Sequence, residues 1–263
     1  MKKLDSIAIL GAGNIGQCIA EGIRSSGLTE RIILTNSNPE IITELRDKGF
    51  QVMSNVEAVK NSKILITAVQ PRHLDALMKE IVPEISADHT IISIISGASC
   101  ERLRILSEDK TEKIVRVMAN TAIQVRESMT LITSENKEAL EQAERIFSPL
   151  GKTMIFPEKL MTEATVLSGS AVAIAFELIR LLQQAGIQNG ISEKESLEIA
   201  TQVMKGAAML LQQTQANPSD EIEKVTTPGG CTRAALDELE AQGLSQVFLN
   251  GIGAGIDKAK ILY

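Results

Sequence analysis

Short apolar runs rich in β-branched residues alternate with amphipathic stretches through the first half of the chain. The runs predict strands at Ser6–Leu10, Arg31–Thr35, Ile64–Val69, Ile91–Ile95 and Ile114–Val117. The stretches between them predict helices near Asn14–Ser26, Pro39–Lys48, His73–Val82 and Ser99–Leu106. Because the runs are apolar on both faces and helices alternate with them, the pattern predicts a parallel sheet that is covered by helices on both sides.

The pattern changes after the fifth predicted strand. A run at Met129–Thr133, a helix near Asn136–Leu150 and a strand at Thr153–Phe156 are expected to complete the sheet domain. From Met161 onward the strand pattern stops, and the period predicts long helices at Met161–Gln188, Glu193–Gln215 and Ser245–Leu262. We therefore predict two domains, an α/β domain over residues 1–157 and an all-helical domain over residues 158–263.

The composition limits the classes of function. Of the 263 residues 44% are hydrophobic, which supplies a large core, and the formal net charge is −6. An acidic chain with 2% aromatic residues and no run of Lys or Arg has neither a phosphate-binding surface nor base-stacking platforms, so we expect no nucleic-acid partner. The longest apolar stretch, Ala171–Phe176, is far too short to cross a membrane, so we expect no membrane partner either.

The cysteines indicate a reducing compartment. Cys18, Cys100 and Cys231 are far apart, odd in number and form no CxxC pair. We therefore expect no disulfide framework, no metal site and a cytoplasmic location.

A glycine motif follows the first predicted strand. Gly11, Gly13 and Gly16 form GxGxxG, and the intervening Asn14 and Ile15 open the first predicted helix. In dinucleotide-binding folds the first glycine permits a tight turn, the second lets the backbone approach a pyrophosphate and the third allows close helix–strand packing. The alternative is an ordinary glycine turn, but the strand before the motif and the helix after it favour a dinucleotide.

The end of the second strand bears on the choice of dinucleotide. An acidic residue there would bind the ribose of NAD, whereas this chain has Thr35, Asn36, Ser37 and Asn38. Short polar side chains such as those of Asn36 and Ser37 can hydrogen-bond a 2′-phosphate without repelling it. The loop therefore favours NADPH, with NADH as the alternative.

The sequence offers no good general base for alcohol dehydrogenation. His73 and His89 are its only histidines, and their polar surroundings predict surface positions for both. Lys205 lies on a predicted helix with Met209 four residues later, where hydroxyacid dehydrogenases carry Asn, and a solvated surface lysine is the better interpretation. Imine reduction asks for less, because a protonated C=N is already an electrophile and positioning carries most of the rate.

A Pro/Gly loop, Val225–Thr232, precedes a predicted helix at Arg233–Ala241. Gly229, Gly230 and the helix start expose several backbone N–H groups, which suits a substrate carboxylate, and Thr232 adds a hydroxyl. A helix cap with a Pro-Gly turn is the alternative, and spacing alone gives the two similar weight. Cys231 lies inside this loop, where we expect a small buried side chain.

Several blocks together resemble the pyrroline-5-carboxylate reductase family, which reduces a cyclic imine acid to proline with NAD(P)H. The resemblance covers nearly the whole chain, and its most specific block is Val225–Thr232. The other blocks are Gly11–Gly16, Asn55–Glu57, Ala68–Pro71, Ser93–Ser99, Val115–Met118 and Leu167–Ser170.

The resemblance implies a Rossmann-type doubly wound sheet followed by a helical dimerisation domain that interleaves two subunits. It implies a homodimer at least, with higher assemblies left open. It also implies that Thr232 hydrogen-bonds the imine nitrogen while the Gly229–Thr232 backbone holds the substrate carboxylate. The cofactor would be lined by Asn55 and by the strand end Ala68, Val69, Gln70 and Pro71.

Two departures from the family pattern bear on the substrate. The family has prolines where this chain has Ala119 and Ala122, and it has Gly-Pro where this chain has Ala171 and Val172. The lost prolines leave the first loop freer, and the second change lets a helix continue. Asn120 between them keeps its amide, and we expect it to bind substrate.

The departures keep alternatives open beside the reduction of pyrroline-5-carboxylate. One is a relative that reduces another cyclic imine acid, and another is a non-catalytic paralogue that binds NADPH. A hydroxyacid dehydrogenase is weakened by the missing base.

Overall fold

The computed structural model describes residues 3–262, and strands of the first half form one eight-stranded sheet with the order β3-β2-β1-β4-β5-β6-β7-β8. Every neighbouring pair is parallel except β6 and β7. The strands are β1 Ile7–Leu10, β2 Ile32–Thr35, β3 Gln51–Val52, β4 Ile64–Thr67, β5 Thr90–Ser93, β6 Ile114–Met118, β7 Ser128–Thr133 and β8 Gly151–Ile155. The chain runs outward from β1 to β3 and then crosses back to β4, so the sheet is doubly wound as predicted.

Twelve α-helices are present among the described residues. They are α1 Asn14–Ser26, α2 Pro39–Asp47, α3 Asn55–Lys60, α4 Leu74–Ile81, α5 Cys100–Leu106, α6 Lys137–Phe147, α7 Met161–Thr165, α8 Ala171–Gln188, α9 Glu193–Thr214, α10 Pro218–Lys224, α11 Cys231–Ala241 and α12 Leu244–Leu262. The sequence missed β3, α3 and α10, because elements this short do not complete a readable period. A capping box between Ser54 and Glu57 starts α3 and was the available signal.

Two buried clusters explain why the strands do not alternate between apolar and polar residues. Ile7 and Ile9 of β1 pack on one face of the sheet with residues of α1 and α6. Ala8 and Leu10 pack on the other face with residues of α3, α4 and α5. All four side chains are fully buried. The predicted two-sided cover is therefore confirmed, and the helices hold the strand ends rigidly in place.

The antiparallel pair β6–β7 departs from the otherwise parallel sheet. A single 3₁₀ turn, Thr121–Val125, joins the two strands, and Arg126 ends it with φ 62°. A parallel connection needs a dozen residues or more, which this segment does not have. The turn therefore returns the chain beside β6 and keeps Asn120 next to the strand ends.

The chain divides into two compact units. The first comprises residues up to Ser170 together with those from Ile256 onward, and the second is Ala171–Gly255. The predicted domain boundary after residue 157 stays a prediction.

The second unit is built on a hairpin of α8 and α9. A Cβ at Gly186 would lie 2.5 Å from the Ser196 hydroxyl oxygen, so glycine allows the two helices to approach closely. Many large apolar side chains of this unit are nevertheless exposed. They include Phe176, Leu182, Val203, Leu210, Val247 and Leu249.

One helical stretch among residues 3–262, Glu158–Gln188, has the length and composition to cross a membrane, with mean hydropathy 1.7 in its most apolar window. Only 6% of that window is buried. The sequence-based expectation of no membrane partner rested on the shorter run Ala171–Phe176. The exposed apolar surface of this stretch requires a covering partner.

Candidate active site

The three glycines of the GxGxxG motif each meet a different local demand. Gly11 has φ +86°, and a Cβ there would lie 2.4 Å from Val69 Cγ1. A Cβ on Gly16 would lie 3.2 Å from Ile9 Cγ2, where α1 packs on β1. A Cβ on Gly13 would meet nothing within 4 Å, so this glycine leaves open space in front of the loop. These are the demands of a pyrophosphate-binding turn.

The start of α1 supplies unused donors beside that open space. Gly13 caps the helix without a side-chain hydrogen bond, and no acidic residue lies in the first turn. Gln17 N–H donates to the Gly13 carbonyl at 2.9 Å, whereas no acceptor is recorded in residues 3–262 for the amides of Asn14, Ile15 and Gly16. Free amides and the positive end of a helix dipole attract an anion. A dinucleotide pyrophosphate therefore fits this loop.

A cavity of about 610 Å³ lies at the carboxyl ends of β1, β2 and β4. This is the point where the strand order reverses, and open α/β sheets bind ligands there. Predicted residues that line it are Gly11, Gly13, Asn36, Ser37, Asn55, Ala68, Val69 and Gln70. Asn14, Ile15 and Gly16 follow Gly13 in α1, and Pro71 follows Gln70. Further lining residues that were not predicted from the sequence are Thr35, Met53, Ser54, Arg72, His73, Ala76, Leu77 and Glu80.

Thr35 ties the glycine loop to the next strand. Its hydroxyl accepts a hydrogen bond from Gly11 N at 3.1 Å and donates one to Asn55 Oδ1 at 2.6 Å. Asn55 Nδ2 donates in turn to Glu80 Oε2 at 2.9 Å. In the sequence, the available indication of this role was a lone threonine at the end of an apolar strand. This chain of hydrogen bonds holds the cavity wall before any ligand arrives.

The loop after β2 offers fewer free groups than its sequence suggests. Asn36 Nδ2 donates to the Ala12 carbonyl at 3.1 Å, and Asn36 Oδ1 accepts from Asn38 N at 2.8 Å. Asn38 Oδ1 caps α2 by accepting from Glu40 N. Ser37 is exposed, and its hydroxyl has no partner recorded among residues 3–262. The donors that remain for a ligand in this loop are neutral: the exposed Ser37 hydroxyl and the Asn38 side-chain N–H groups, for which no acceptor is found among residues 3–262.

Asn120 is buried and already bonded to protein on both ends of its amide. Its Nδ2 donates to the Ser168 carbonyl at 2.7 Å, and its Oδ1 accepts from Ala122 N at 2.9 Å. Ser168 lies in a π-helical turn, Val166–Ser170, and such turns often occur at functional sites. The role of Asn120 as a substrate ligand stays a prediction. One amide hydrogen remains for it.

The alanine and valine departures have visible local consequences. The turn that contains Ala119 and Ala122 is ordered by hydrogen bonds rather than by prolines, since Asn120 N donates to Ser128 Oγ at 3.1 Å. Ala171 and Val172 begin α8 directly after the π turn, so the prediction that they continue a helix is confirmed.

The Val225–Thr232 loop belongs to the second unit. Gly229 has φ +72°, and Gly230 caps α11 without a side-chain hydrogen bond. A Cβ on Gly230 would lie 2.5 Å from Thr227 Oγ1, so the turn requires glycine at this position. Thr226 is buried and donates to the Ile222 carbonyl at 2.5 Å, which anchors the loop to α10.

The end of this loop presents uncommitted donors. Ala234 N–H donates to the Gly230 carbonyl at 3.2 Å, whereas no acceptor is recorded in residues 3–262 for the amides of Cys231 and Thr232. Thr232 is half-buried, and its hydroxyl has no recorded partner in the same part of the chain. Cys231 is exposed, which contradicts the expectation of a small buried side chain. The arrangement suits a small carboxylate with a polar neighbour.

The structure assigns different positions to the three candidate bases. The surface prediction for His89 was wrong: the ring is 6% exposed, accepts from Ser86 N at 3.0 Å and lies 3.3 Å from the Val59 carbonyl oxygen. His89 thus links the turn at Ser86 to helix α3, a contact that its polar sequence neighbours did not indicate. His73 is exposed but lines the cavity. Lys205 is exposed on α9, as predicted.

An ion pair between the buried Arg116 and the partly exposed Glu158 lies beside Cys100 in the first unit. Arg116 of β6 is 5% exposed, and its Nη1 lies 3.1 Å from Glu158 Oε1. The same Glu158 oxygen accepts from Cys100 N at 3.2 Å. Burial first, and then the Glu158 carboxylate, raise the pKa of the Cys100 thiol to about 12.

This pKa gives a reactivity prediction. At pH 8 only about one Cys100 thiol in 10⁴ is ionised, and only the thiolate is nucleophilic. Brief treatment with iodoacetamide at pH 8 is expected to modify exposed Cys231 and spare Cys100, as read by peptide mapping in a mass spectrometer. A Cys231→Ser variant serves as the control and should lose the fast label. Equal labelling of Cys100 and Cys231 would contradict the expectation.

Family models match both halves of the chain. Residues 158–262 match the model described as pyrroline-5-carboxylate reductase dimerisation. Residues 6–97 match the model described as NADP oxidoreductase coenzyme F420-dependent. The exposed apolar stretch Glu158–Gln188 thus falls inside a region whose relatives dimerise.

Individual relatives agree with the family models. Pyrroline-5-carboxylate reductase 1 of Dictyostelium discoideum is 39% identical over 100% of this chain, which spans only 51% of that relative's length. Pyrroline-5-carboxylate reductase 2 of the same organism is 36% identical over 98% of this chain and 93% of its own length. The structure of a pyrroline-5-carboxylate reductase from Coxiella burnetii has a TM-score of 0.90 and 26% identity, with 98% of each chain covered. The chain belongs to the pyrroline-5-carboxylate reductase family.

Proposed function

We propose that this chain reduces the cyclic imine 1-pyrroline-5-carboxylate to L-proline with NADPH, the last step of proline biosynthesis. The observation that carries the proposal is the Val225–Thr232 loop, which combines free amides with the uncommitted Thr232 hydroxyl. Family membership and the cavity at the carboxyl ends of β1, β2 and β4 support it. NADPH supplies a hydride, which the imine carbon accepts.

The loop residues bind and orient the substrate. In this proposal the amides from Gly229 to Thr232 hold the carboxylate, with the α11 dipole adding favourable charge. The Thr232 hydroxyl hydrogen-bonds the imine nitrogen, which fixes the face of the ring that receives hydride. Because the protonated imine is already electrophilic, the residues need only position it. The reaction in this proposal needs no general base, which agrees with the buried, structural position of His89.

Assembly and location are part of the same proposal. The exposed apolar side chains of α8, α9 and α12 support a homodimer in which a second subunit covers them. Larger assemblies built from that dimer stay open. The three cysteines, Cys18, Cys100 and Cys231, are free, which supports a cytoplasmic location.

A second candidate is a different cyclic imine acid. Ala119 and Ala122 replace two of the family's prolines, and Ala171 and Val172 replace its Gly-Pro pair, so these changes favour an altered ring preference. Turnover of six-membered imine acids in preference to pyrroline-5-carboxylate would support it.

The test of the proposal is pyrroline-5-carboxylate turnover followed by NADPH absorbance. Thr232→Ala is expected to lower kcat/KM about 100-fold, because the hydrogen-bond partner of the reacting nitrogen is lost. Thr232→Ser is the matched control, which keeps the hydroxyl and is expected to retain most of the activity. NADPH affinity should be equal in all three proteins. Full activity of Thr232→Ala would refute the assigned role, and absence of turnover in the parent would refute the substrate.

A further inference from the structure

The 2′-phosphate of NADPH needs more positive charge than the β2–α2 loop supplies. A phosphate monoester carries a charge of about −1.5 to −2 near neutral pH. Asn36 Nδ2 donates to the Ala12 carbonyl and Asn38 Oδ1 caps α2, so the loop offers a phosphate only neutral donors, among them the exposed Ser37 hydroxyl. No lysine or arginine occurs between Thr35 and Asn38. The countercharge must come from another element.

Arg72 lines the same cavity from the carboxyl end of β4, which lies on the other side of β1 from β2. It follows β4 in the 3₁₀ turn Pro71–His73, and it is exposed. Its Nε donates to His73 Nε2 at 3.2 Å, which fixes the plane of the guanidinium. No ion pair or further hydrogen bond of Arg72 is recorded within residues 3–262, so both terminal nitrogens are free to donate.

The other charged side chains near the cavity do not offer a free cation. Glu80 is the acidic residue among those lining the cavity, and its carboxylate accepts from Asn55 Nδ2. Arg102 and Asp75 pair with each other at 2.7 Å, and neither lines the cavity. Arg72 is therefore the lining arginine or lysine with donors to spare in the described part of the chain.

We infer that Arg72, together with Ser37, binds the 2′-phosphate and makes this chain select NADPH over NADH. The guanidinium presents a planar fork of donors that matches phosphate oxygens, and His73 orients it. The charge that selects NADPH over NADH thus lies in the turn after β4 rather than at the end of β2. It rests on the proposed function only for the identity of the cofactor.

The test measures binding rather than turnover. Calorimetric titration of the whole protein with 2′,5′-ADP and with 5′-AMP isolates the contribution of the 2′-phosphate. Arg72→Ala is expected to weaken 2′,5′-ADP about 10- to 100-fold and to leave 5′-AMP within about twofold, because one charge-assisted contact is lost. Arg72→Lys keeps the charge without the fork and should lie between the parent and Arg72→Ala.

Lys79→Ala provides a charge-matched control, because Lys79 is exposed on α4 and does not line the cavity. It should change neither affinity. Equal weakening of both nucleotides by Arg72→Ala would mean that the guanidinium contacts the adenine, and would overturn the assignment. Unchanged binding of 2′,5′-ADP would also overturn it. A failure to reduce pyrroline-5-carboxylate would leave these titrations interpretable.

Discussion

Gly13→Ala is expected to weaken NADPH binding by about 100-fold or more while leaving the chain folded. The Cβ meets nothing within 4 Å in the structure, so the protein itself tolerates it. It would project into the space in front of the free amides of α1, and the pyrophosphate would lose two or more charge-assisted hydrogen bonds. The fold loses only about 1 kcal/mol of stability, because alanine is a poorer N-cap residue than glycine.

Gly11→Ala is the contrasting variant, because we expect it to lower folding stability. Its Cβ would lie 2.4 Å from Val69 Cγ1 at a φ of +86°, so strain and crowding are expected to cost about 2–3 kcal/mol of folding stability. The two variants are compared by urea denaturation and by calorimetric NADPH titration. A large drop in the urea midpoint of Gly13→Ala, or NADPH affinity close to the parent value, would contradict the division of roles between the two glycines.

The sequence predicted the sheet domain well where burial is two-sided and the glycines are constrained. β1 and α1 were predicted from Ile7–Leu10 and the GxGxxG motif, because each residue there is constrained by its local packing or backbone conformation. β7 was predicted as a strand, but its antiparallel pairing with β6 depends on the length of one turn, which period analysis does not read.

The parts that were missed depend on contacts between distant segments. His89 was assigned to the surface from its polar neighbours, yet it is held by Ser86 and lies beside Val59. Asn36 lines the cavity and its role toward the cofactor stays a prediction, but its side chain also bonds to Ala12, and Arg72, which was not predicted, reaches the cavity from another strand end. A polar side chain in one sequence does not reveal which of its donors the fold has already used.

Loss of the Glu158 carboxylate is expected to destabilise the first unit. Its carboxylate is the recorded partner of the buried Arg116 guanidinium, and it also accepts from Cys100 N. Arg116 Nε already has no hydrogen-bond partner within residues 3–262. In Glu158→Ala a buried charge loses its counterion, which costs about 3 kcal/mol.

The urea midpoint at one fixed protein concentration measures this cost, because a dimer's stability depends on concentration. Glu163→Ala is the matched control: it removes a carboxylate from the neighbouring helix α7, where Glu163 pairs with exposed Lys260, and a small midpoint shift is expected. Adding Arg116→Met to Glu158→Ala should recover much of the loss, because no charge then remains buried. If the double variant were less stable than Glu158→Ala alone, the packing of the Arg116 side chain rather than its unpaired charge would be the dominant contribution at this site.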